Sequence, residues 1–395
     1  MGPACRSDNR SMYDFEPGPA RQALREEIIA FARDHLNEGV AGRDRDGYFC
    51  RRWWENAARI GLPGLAIPEQ YGGRGLDPLS VTLALEALGY ACRDNGMSFA
   101  LSAHLLACVV PLWLYGSEEL RREYLPGLCQ GQWVAANAMS EPEGGSDAFS
   151  MRTVGVESAG GFRIKGTKTF VSNGPVADQV LLYAATAPGK GQLAGITAFW
   201  LDTDRLPLRR SGPLDTMGLR SCPLGELYLE EILVEDRFVV GTPNRGALVF
   251  HRSMDWERTC LAGCHLGTIQ WLLERAVRHL RGQSAPQGTT TGRDRQAAAH
   301  ALARLRTKWE AARWLAYATA WKLGQGQPVS REAAMTKWTV SELLKEATGT
   351  VTGLLGREGT TNDDLERTLR DAVSSTLYSG TSEIQLNIIA QSMGC

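Results

Sequence analysis

The sequence predicts an α+β fold in which a β-domain separates two helical domains. Two observations carry this prediction. Apolar residues recur at helical spacing up to about residue 131 and again from Arg245 onward. Between these stretches, short runs of Val, Ile, Leu, Phe and Tyr are separated by Gly, Pro and Asp, as in strands joined by turns. At 395 residues the chain exceeds one ordinary domain, and we divide it into residues 1–131, 132–243 and 244–395.

The first part is predicted to be helical. Residues 19–60 carry an apolar stripe, to which Leu24 and Ile28 belong, among charged residues. Residues 61–75 are dense in Gly and Pro, which predicts a loop. Further helices are predicted at 78–92, 97–115 and 117–129. Ser117 stands where a side chain can cap the last of these.

The middle part is predicted to form strands, beginning with residues 132–137. Residues 161–174 (GFRIKGTKTFVSNG) predict a strand, a short turn and a second strand. More strands are predicted at 179–185, 196–201 and 226–229. After the first strand, residues 138–147 (AMSEPEGGSD) form a turn in which Gly144 and Gly145 allow successive N–H groups to face one concavity. Such a nest suits a pyrophosphate, although these residues alone indicate only a turn.

The last part is predicted to be helical again. It starts with one long helix over 253–281, followed by a loop at 285–294. Helices are then predicted at 296–325, 330–352 and 365–376, with a final helix after Gly380. Ser382 and Gln385 have the spacing of a capping box at the start of that helix.

Composition and charge exclude several classes of function. Lys and Arg number 43 against 44 Asp and Glu, and the resulting charge of −1 argues against nucleic-acid binding. No run of eighteen apolar residues predicts a membrane span, and the N-terminus lacks the apolar core of a signal peptide. The nine cysteines show no paired pattern, which indicates reduced thiols and a cytoplasmic protein.

A metal site is the less favoured interpretation of Cys260, Cys264 and His265. These residues lie close together on a predicted helix. A zinc site needs four ligands, and no second cluster of ligand residues appears in the sequence. We therefore interpret them as packing residues and predict no metal.

Three ordered motifs resemble the acyl-CoA dehydrogenase family. They are AMSEPEGGSD at 138–147, GTKTFVSNG at 166–174 and YSGTSEIQ at 378–385. The resemblance runs from about Gly61 to the C-terminus. It implies an acyl-CoA dehydrogenase-like fold that ends in a four-helix bundle, binds FAD and oxidises an acyl thioester. It also implies a homotetramer or homodimer, and electron transfer to an electron-transfer flavoprotein or to oxygen.

The base that removes the substrate α-proton is the main departure from the commonest family pattern. Many members carry a Glu where this chain has Ser379, and a serine cannot serve alone as a base near neutral pH. The helix at 254–263 resembles that of isovaleryl-CoA and long-chain acyl-CoA dehydrogenases, which keep their base at the position of Glu257. Arg258 then matches a residue that orients the site. The alternative is that Glu257 and Arg258 are an ordinary helix pair.

The resemblance also assigns cofactor and substrate contacts. Flavin contacts are expected at three segments: Asn137, Met139, Ser140, Gly145 and Ser146; Phe170, Val171 and Ser172; Thr381 and Glu383. Substrate contacts are expected at Ser146, Asp255, Arg258 and Gly380.

Two segments that reach the FAD of a neighbouring subunit in the family differ in this chain. Residues 283–292 replace an Arg-x-x-Phe-Gly turn, and residues 353–357 replace Gln-x-x-Gly-Gly. These differences leave two alternatives open. The substrate could be an acyl group tethered to a carrier protein in a biosynthetic pathway rather than an acyl-CoA. The protein could also be a flavoprotein that abstracts a proton without oxidation, or an inactive scaffold. The orientation of Glu257 relative to the flavin ring discriminates between these functions.

Overall fold

The N-terminal part consists of helices that pack on a common core. A computed structural model describes residues 18–187, 189, 194–282, 292–361 and 364–395. Its first seven helices are α1 Pro19–His35, α2 Val40–Asp46, α3 Arg51–Arg59, α4 Pro78–Ala91, α5 Asn95–His104, α6 Val110–Tyr115 and α7 Glu118–Cys129. The predicted loop between α3 and α4 contains two short 3₁₀ turns, Leu62–Gly64 and Glu69–Tyr71. The predicted cap of α7 is confirmed, because the Ser117 hydroxyl accepts a hydrogen bond from the Leu120 N–H at 3.2 Å.

A π-helical turn, Leu105–Val109, joins α5 to α6. The whole run Asn95–Tyr115 is long and apolar enough to cross a membrane, but 89% of its most apolar window is buried inside the protein. It is therefore a buried helical run of the core. A π-turn inside a helix frequently marks a functional site, and this one lies beside β1 of the sheet.

The middle part is an eight-stranded sheet. Its strands are β1 Ala135–Ala138, β2 Val154–Ser158, β3 Gly161–Ser172, β4 Gln179–Ala185, β5 Ile196–Asp202, β6 Arg209–Arg210, β7 Leu224–Glu235 and β8 Val239–Val240. Their order is β6-β7-β3-β2-β4-β5-β8, and β1 pairs in parallel with β4. The ends of β1 and β3 lie in one region, because the Thr169 N–H donates to the Ser140 carbonyl.

The predicted division of residues 161–174 into two strands is wrong. Residues 161–172 form the single strand β3, and its hairpin partner β2 lies before it, where no strand was predicted. The predicted turn corresponds to an irregularity around Gly166, where the register against β7 shifts between Ile164 and Gly166. A pairing irregularity of this kind depends on the neighbouring strand, so local sequence does not reveal it.

The C-terminal part is helical, as predicted. Its helices are α8 Gly246–Cys260, α9 Ala262–Gly282, α10 Gly292–Gly324, α11 Ser330–Leu355, α12 Arg357–Thr360, α13 Asp364–Ser374 and α14 Ser382–Ser392. The long helix predicted over 253–281 is two helices, which meet at Leu261. Glycines fix the course of α9, because a Cβ at Gly263 or Gly267 would lie 2.2 or 2.0 Å from a backbone oxygen of α4.

The capping box predicted from Ser382 and Gln385 is also wrong. Thr381 caps α14, because its hydroxyl accepts the Ile384 N–H at 3.3 Å. Gln385 instead donates its side-chain amide to the carbonyls of Ser379 and Gly380, at 3.1 and 2.8 Å. The division into residues 1–131, 132–243 and 244–395 stays a proposal.

Candidate active site

Glu257 and Ser379 meet at the centre of the candidate site. Glu257 is buried on α8, and Ser379 lies in the turn before α14. The Ser379 hydroxyl donates to Glu257 Oε1 at 2.6 Å, and Arg258 Nε donates to the Ser379 carbonyl at 3.0 Å. The structure therefore brings together the two positions at which the family carries a base. Glu257 Oε2 has no hydrogen-bond partner within the described ranges, which leaves it free to accept a proton.

Burial raises the pKa of the Glu257 carboxyl, because the charged form is poorly solvated there. The Ser379 hydroxyl, the Arg258 guanidinium and the Lys337 ammonium each offset part of this rise. A carboxylate with a raised pKa is suited to act as a base near neutral pH. Burial also lowers the pKa of Arg258.

The turn that presents Ser379 has an unusual backbone. Ser379 has φ 56° and Gly380 has φ 89°. Residues other than glycine rarely adopt such backbone angles, and the residues that do are concentrated at functional sites. A Cβ at Gly380 would lie 2.7 Å from Gln385 Nε2 and 3.3 Å from Arg258 Nη2. Gly380 is therefore required at this position, next to Arg258.

The predicted flavin residues at the ends of β1 and β3 lie side by side. The Thr169 N–H donates to the Ser140 carbonyl at 3.0 Å and joins the two segments. Asn137 donates its side-chain amide to the Ala107 carbonyl of the π-turn at 2.8 Å. Met139 is buried, and its carbonyl accepts a hydrogen bond from Lys168 Nζ at 3.0 Å.

Phe170 has the position and exposure of a residue that packs on a planar ligand. It is 62% exposed with φ 52°, at the point where the register between β3 and β7 shifts. Val171 is buried, so it offers a ligand only its backbone, and Ser172 is half-buried. An exposed aromatic ring on a left-handed backbone at the edge of a predicted cofactor site fits the face of a flavin.

The predicted phosphate nest is not formed. Neither Gly144 nor Gly145 has a positive φ, and the Gly144 N–H donates to the Glu141 carbonyl at 3.1 Å. That N–H is therefore engaged within the turn. Gly145 and Ser146 are exposed, and their contacts with ligands stay predictions.

The remaining predicted residues lie on either side of Glu257. Asp255 is buried, its Oδ1 accepts a hydrogen bond from the Ser330 hydroxyl at 2.9 Å, and burial raises its pKa. Thr381 caps α14, and Glu383 is exposed in the first turn of that helix. The N–H groups at this helix start are suited to a phosphate.

Two residues of the site were missed in the sequence. Tyr183 on β4 is fully buried, and its hydroxyl lies near the side chains of Asn137 and Ser253 and within electrostatic reach of Glu257. Lys337 on α11 is 5% exposed, and its Nζ has no hydrogen-bond partner in the described chain. Both residues stand in apolar stretches of the sequence, which predict core positions. The one available signal was Lys337, because a lysine on the buried face of a helix is uncommon.

A small cavity adjoins the Ser379 turn. Its volume is about 30 Å³, and its lining includes Phe99, His265, Thr268 and Tyr378. The Tyr378 hydroxyl and His265 Nε2 lie 2.6 Å apart, and burial lowers the pKa of His265 to about 3, so the ring is neutral. A space of this size holds on the order of one or two water molecules.

Of the three residues considered for a metal site, Cys260 and Cys264 are buried, and Cys260 Sγ donates to the Pro78 carbonyl at 3.6 Å. His265 contacts the Tyr378 hydroxyl. Within the described ranges, no group of three or more His, Cys, Asp or Glu side chains is placed to hold a metal ion. Of the two segments that differ from the family, residues 283–291 lie outside the described residues. In the other, α11 ends at Leu355 and α12 begins at Arg357.

The fold and this site define an FAD-dependent oxidoreductase that acts on acyl thioesters. Family models for the N-terminal, middle and C-terminal domains of acyl-CoA dehydrogenases match residues 18–132, 136–232 and 244–394. The chain belongs to the acyl-CoA dehydrogenase family. The resemblance seen in the three motifs is thereby confirmed, together with the three-part fold.

Several relatives act on substrates attached to carrier proteins. An L-prolyl-[peptidyl-carrier protein] dehydrogenase of Pseudomonas fluorescens is 37% identical over 90% of this chain and 93% of its own. A crystal structure of the prolyl acyl carrier protein oxidase AnaB is 35% identical, with a TM-score of 0.92 over 96% of this chain and 100% of its own. The structure of PigA with FAD and proline is 32% identical, with a TM-score of 0.91 over 97% and 99%.

Proposed function

We propose that this protein oxidises the Cα–Cβ bond of an L-prolyl group held as a thioester on a carrier protein, with Glu257 as the base. The observation that carries the proposal is the buried Glu257 carboxylate, held by Ser379 with its second oxygen free. The carrier-bound prolyl group is supported by the names of the relatives. This is the carrier-protein alternative predicted from the sequence.

In the proposed reaction, Glu257 Oε2 takes the proton from Cα while the C–H bond at Cβ breaks and a Cα=Cβ bond forms. Bound FAD supplies the acceptor for the hydride that leaves Cβ. Ser379 and Arg258 hold the carboxylate and the turn in place. Phe170 covers one face of the flavin site, and the backbone at Met139, Ser140 and Ser172 offers hydrogen bonds to its edge.

The test compares carriers for the same acyl group. Purified protein saturated with FAD is mixed with an L-prolyl-charged peptidyl carrier protein, with L-prolyl-CoA, or with isovaleryl-CoA. We expect mass spectrometry to show the loss of one pair of hydrogens from the carrier-bound prolyl group, with a kcat/KM at least about tenfold above that of L-prolyl-CoA. This margin corresponds to about 1.4 kcal/mol of carrier recognition.

If the CoA esters are turned over as fast as the carrier-bound prolyl group, or faster, the protein is an acyl-CoA dehydrogenase and the proposal is wrong. Exchange of the α-proton with deuterated water, without flavin reduction by any of the three substrates, would favour the flavoprotein that does not oxidise.

Lys337 is expected to tune the base. Its ammonium lowers the pKa of Glu257, so Lys337→Met should raise that pKa further. A base acts in its deprotonated form, so the acid limb of the pH profile for flavin reduction should move to higher pH. Lys337→Arg, which keeps the charge, is the control. Superimposable profiles for wild type and Lys337→Met would exclude this effect.

We also propose a homotetramer or homodimer in the cytoplasm that passes its electrons to oxygen or to an electron-transfer flavoprotein. Large apolar side chains are exposed on α11 and α14 and in the turn before α14: Trp338, Leu386 and Leu377. We expect light scattering to give two or four subunits, and dilution to monomer to release FAD. A stable monomer with full FAD occupancy would contradict the proposed shared flavin sites.

A further inference from the structure

The start of α8 presents a basic edge with an apolar centre. Arg245, Leu248 and Arg252 follow one another at spacings of three and four residues, which places them on one side of the helix. Leu248 is 53% exposed, Arg245 is exposed and Arg252 is partly exposed. We call these three residues the α8 strip.

The α8 strip carries positive charge that is only partly neutralised. Arg245 has no ion-pair partner in the described part of the chain, whereas Arg252 is paired with Asp255 at 3.9 Å. His251 directly precedes Arg252, and desolvation and the Arg258 guanidinium lower the pKa of its imidazole although part of the ring is exposed. The strip therefore offers the unpaired guanidinium of Arg245 and the partly exposed, paired guanidinium of Arg252 on either side of one exposed leucine.

The acids near the strip are few. Asp255 is paired with Arg252. The Phe149 and His251 rings are 5.2 Å apart, which places the loop at 142–150 beside the strip. In that loop Glu143 is paired with Arg152, and Asp147 is exposed. This loop also holds Ser146, a predicted substrate contact.

The strip lies at a defined distance from the base on the same helix. Glu257 comes twelve residues after Arg245, about 18 Å away at the rise of an α-helix. That separation is of the order that an extended phosphopantetheine arm spans between its phosphodiester and its thioester. The predicted substrate residue Asp255 and its partner Ser330, which is exposed, lie along this path.

We propose that the α8 strip docks an acidic face of the carrier protein, beside the serine that bears the phosphopantetheine arm. This proposal rests on the proposed function. Arg245 and Arg252 pair with carboxylates of the carrier, and Leu248 packs at the centre of the contact, as in interfaces with an apolar core and a polar rim. The arm then runs along α8 towards Glu257.

The test separates docking from chemistry by using two substrates with the same acyl group. One is the L-prolyl-charged carrier protein, and the other is the L-prolyl thioester of N-acetylcysteamine, which mimics only the end of the arm. We expect Arg245→Glu to lower kcat/KM for the charged carrier protein by about tenfold or more, mainly through KM. It should leave turnover of the small thioester and the bound FAD unchanged.

A matched control and a salt series complete the experiment. Arg52→Glu makes the same charge change at an exposed residue of α3 and should retain wild-type kcat/KM. Added salt should lower the wild-type kcat/KM for the charged carrier and narrow its advantage over Arg245→Glu. Leu248→Ser should also raise KM for the carrier protein only.

Wild-type KM for the charged carrier in both Arg245→Glu and Leu248→Ser would overturn the docking proposal while the proposed function stands. Failure of the wild type itself to oxidise the charged carrier, with turnover of the small thioester or of L-prolyl-CoA, would overturn both.

Discussion

Glu257→Gln is expected to slow substrate-dependent flavin reduction by about 10²–10⁴-fold, the typical contribution of a general base. The amide has nearly the size of the carboxylate and can still accept the Ser379 hydroxyl bond, but it cannot take a proton. Because Glu257 is buried beside Ser379 and Arg258, water is poorly placed to replace it. Stopped-flow absorbance of the flavin measures the rate, and FAD content is measured on the same sample.

Two variants define what this result means. Glu310→Gln, a change at a partly exposed carboxylate on α10, should reduce the flavin at the wild-type rate. Ser379→Glu added to Glu257→Gln should restore part of the activity, because Ser379 Oγ lies 2.6 Å from the Glu257 carboxylate. Near wild-type reduction by Glu257→Gln would refute the assignment of the base. Loss of FAD together with activity would instead make Glu257 a structural residue.

The pH profile gives an independent readout of the same residue. Burial raises the pKa of Glu257, so the acid limb of kcat/KM should lie above the ordinary value of about 4.3 for a glutamate. Activity should fall as pH drops through that raised pKa, because the base becomes protonated. The residual activity of Glu257→Gln should lack this limb.

Lys168→Met is expected to destabilise the protein by about 3–5 kcal/mol, the usual cost of breaking a buried ion pair. Lys168 has a fully buried side chain, and its Nζ donates to Glu141 Oε1 at 2.8 Å and to the Met139 carbonyl at 3.0 Å. Without it, the Glu141 carboxylate stays buried with only the Arg152 and Thr153 N–H groups as donors. Urea unfolding followed by tryptophan fluorescence measures the change.

The matched control lies three residues earlier on the same strand. Lys165 is 67% exposed and reaches Glu231 at 3.5 Å, so Lys165→Met should change stability by less than about 1 kcal/mol. Adding Glu141→Gln to Lys168→Met should recover part of the loss, because the uncompensated charge is removed. If Lys168→Met and Lys165→Met lower the free energy of unfolding equally, the Lys168–Glu141 ion pair does not stabilise the loop after β1.

Local patterns in the sequence predicted the helical or strand character of most elements and the limits of several. Helical periodicity predicted α4, α7 and one helix over the run that contains α5 and α6, and Ser117 predicted the start of α7, because capping involves residues only three apart. The motif at 378–385 has a serine in place of the usual glutamate, and this difference indicated Glu257 as the base. These inferences needed only neighbouring residues or a family motif.

Long-range contacts decided what the sequence did not. The pairing of β2 with β3 and the irregularity at Gly166 depend on neighbouring strands, and the course of α9 depends on glycines that face α4. Ser379 and Glu257 are 122 residues apart in the chain, yet a 2.6 Å hydrogen bond joins them. The sequence also could not predict that Lys337 and Tyr183 lie near this pair. Their burial and their distance from Glu257 depend on how helices and strands that are far apart in the chain pack together. The sequence therefore determined which chemistry this protein carries, whereas packing decided which groups surround the carboxylate and how its pKa is set.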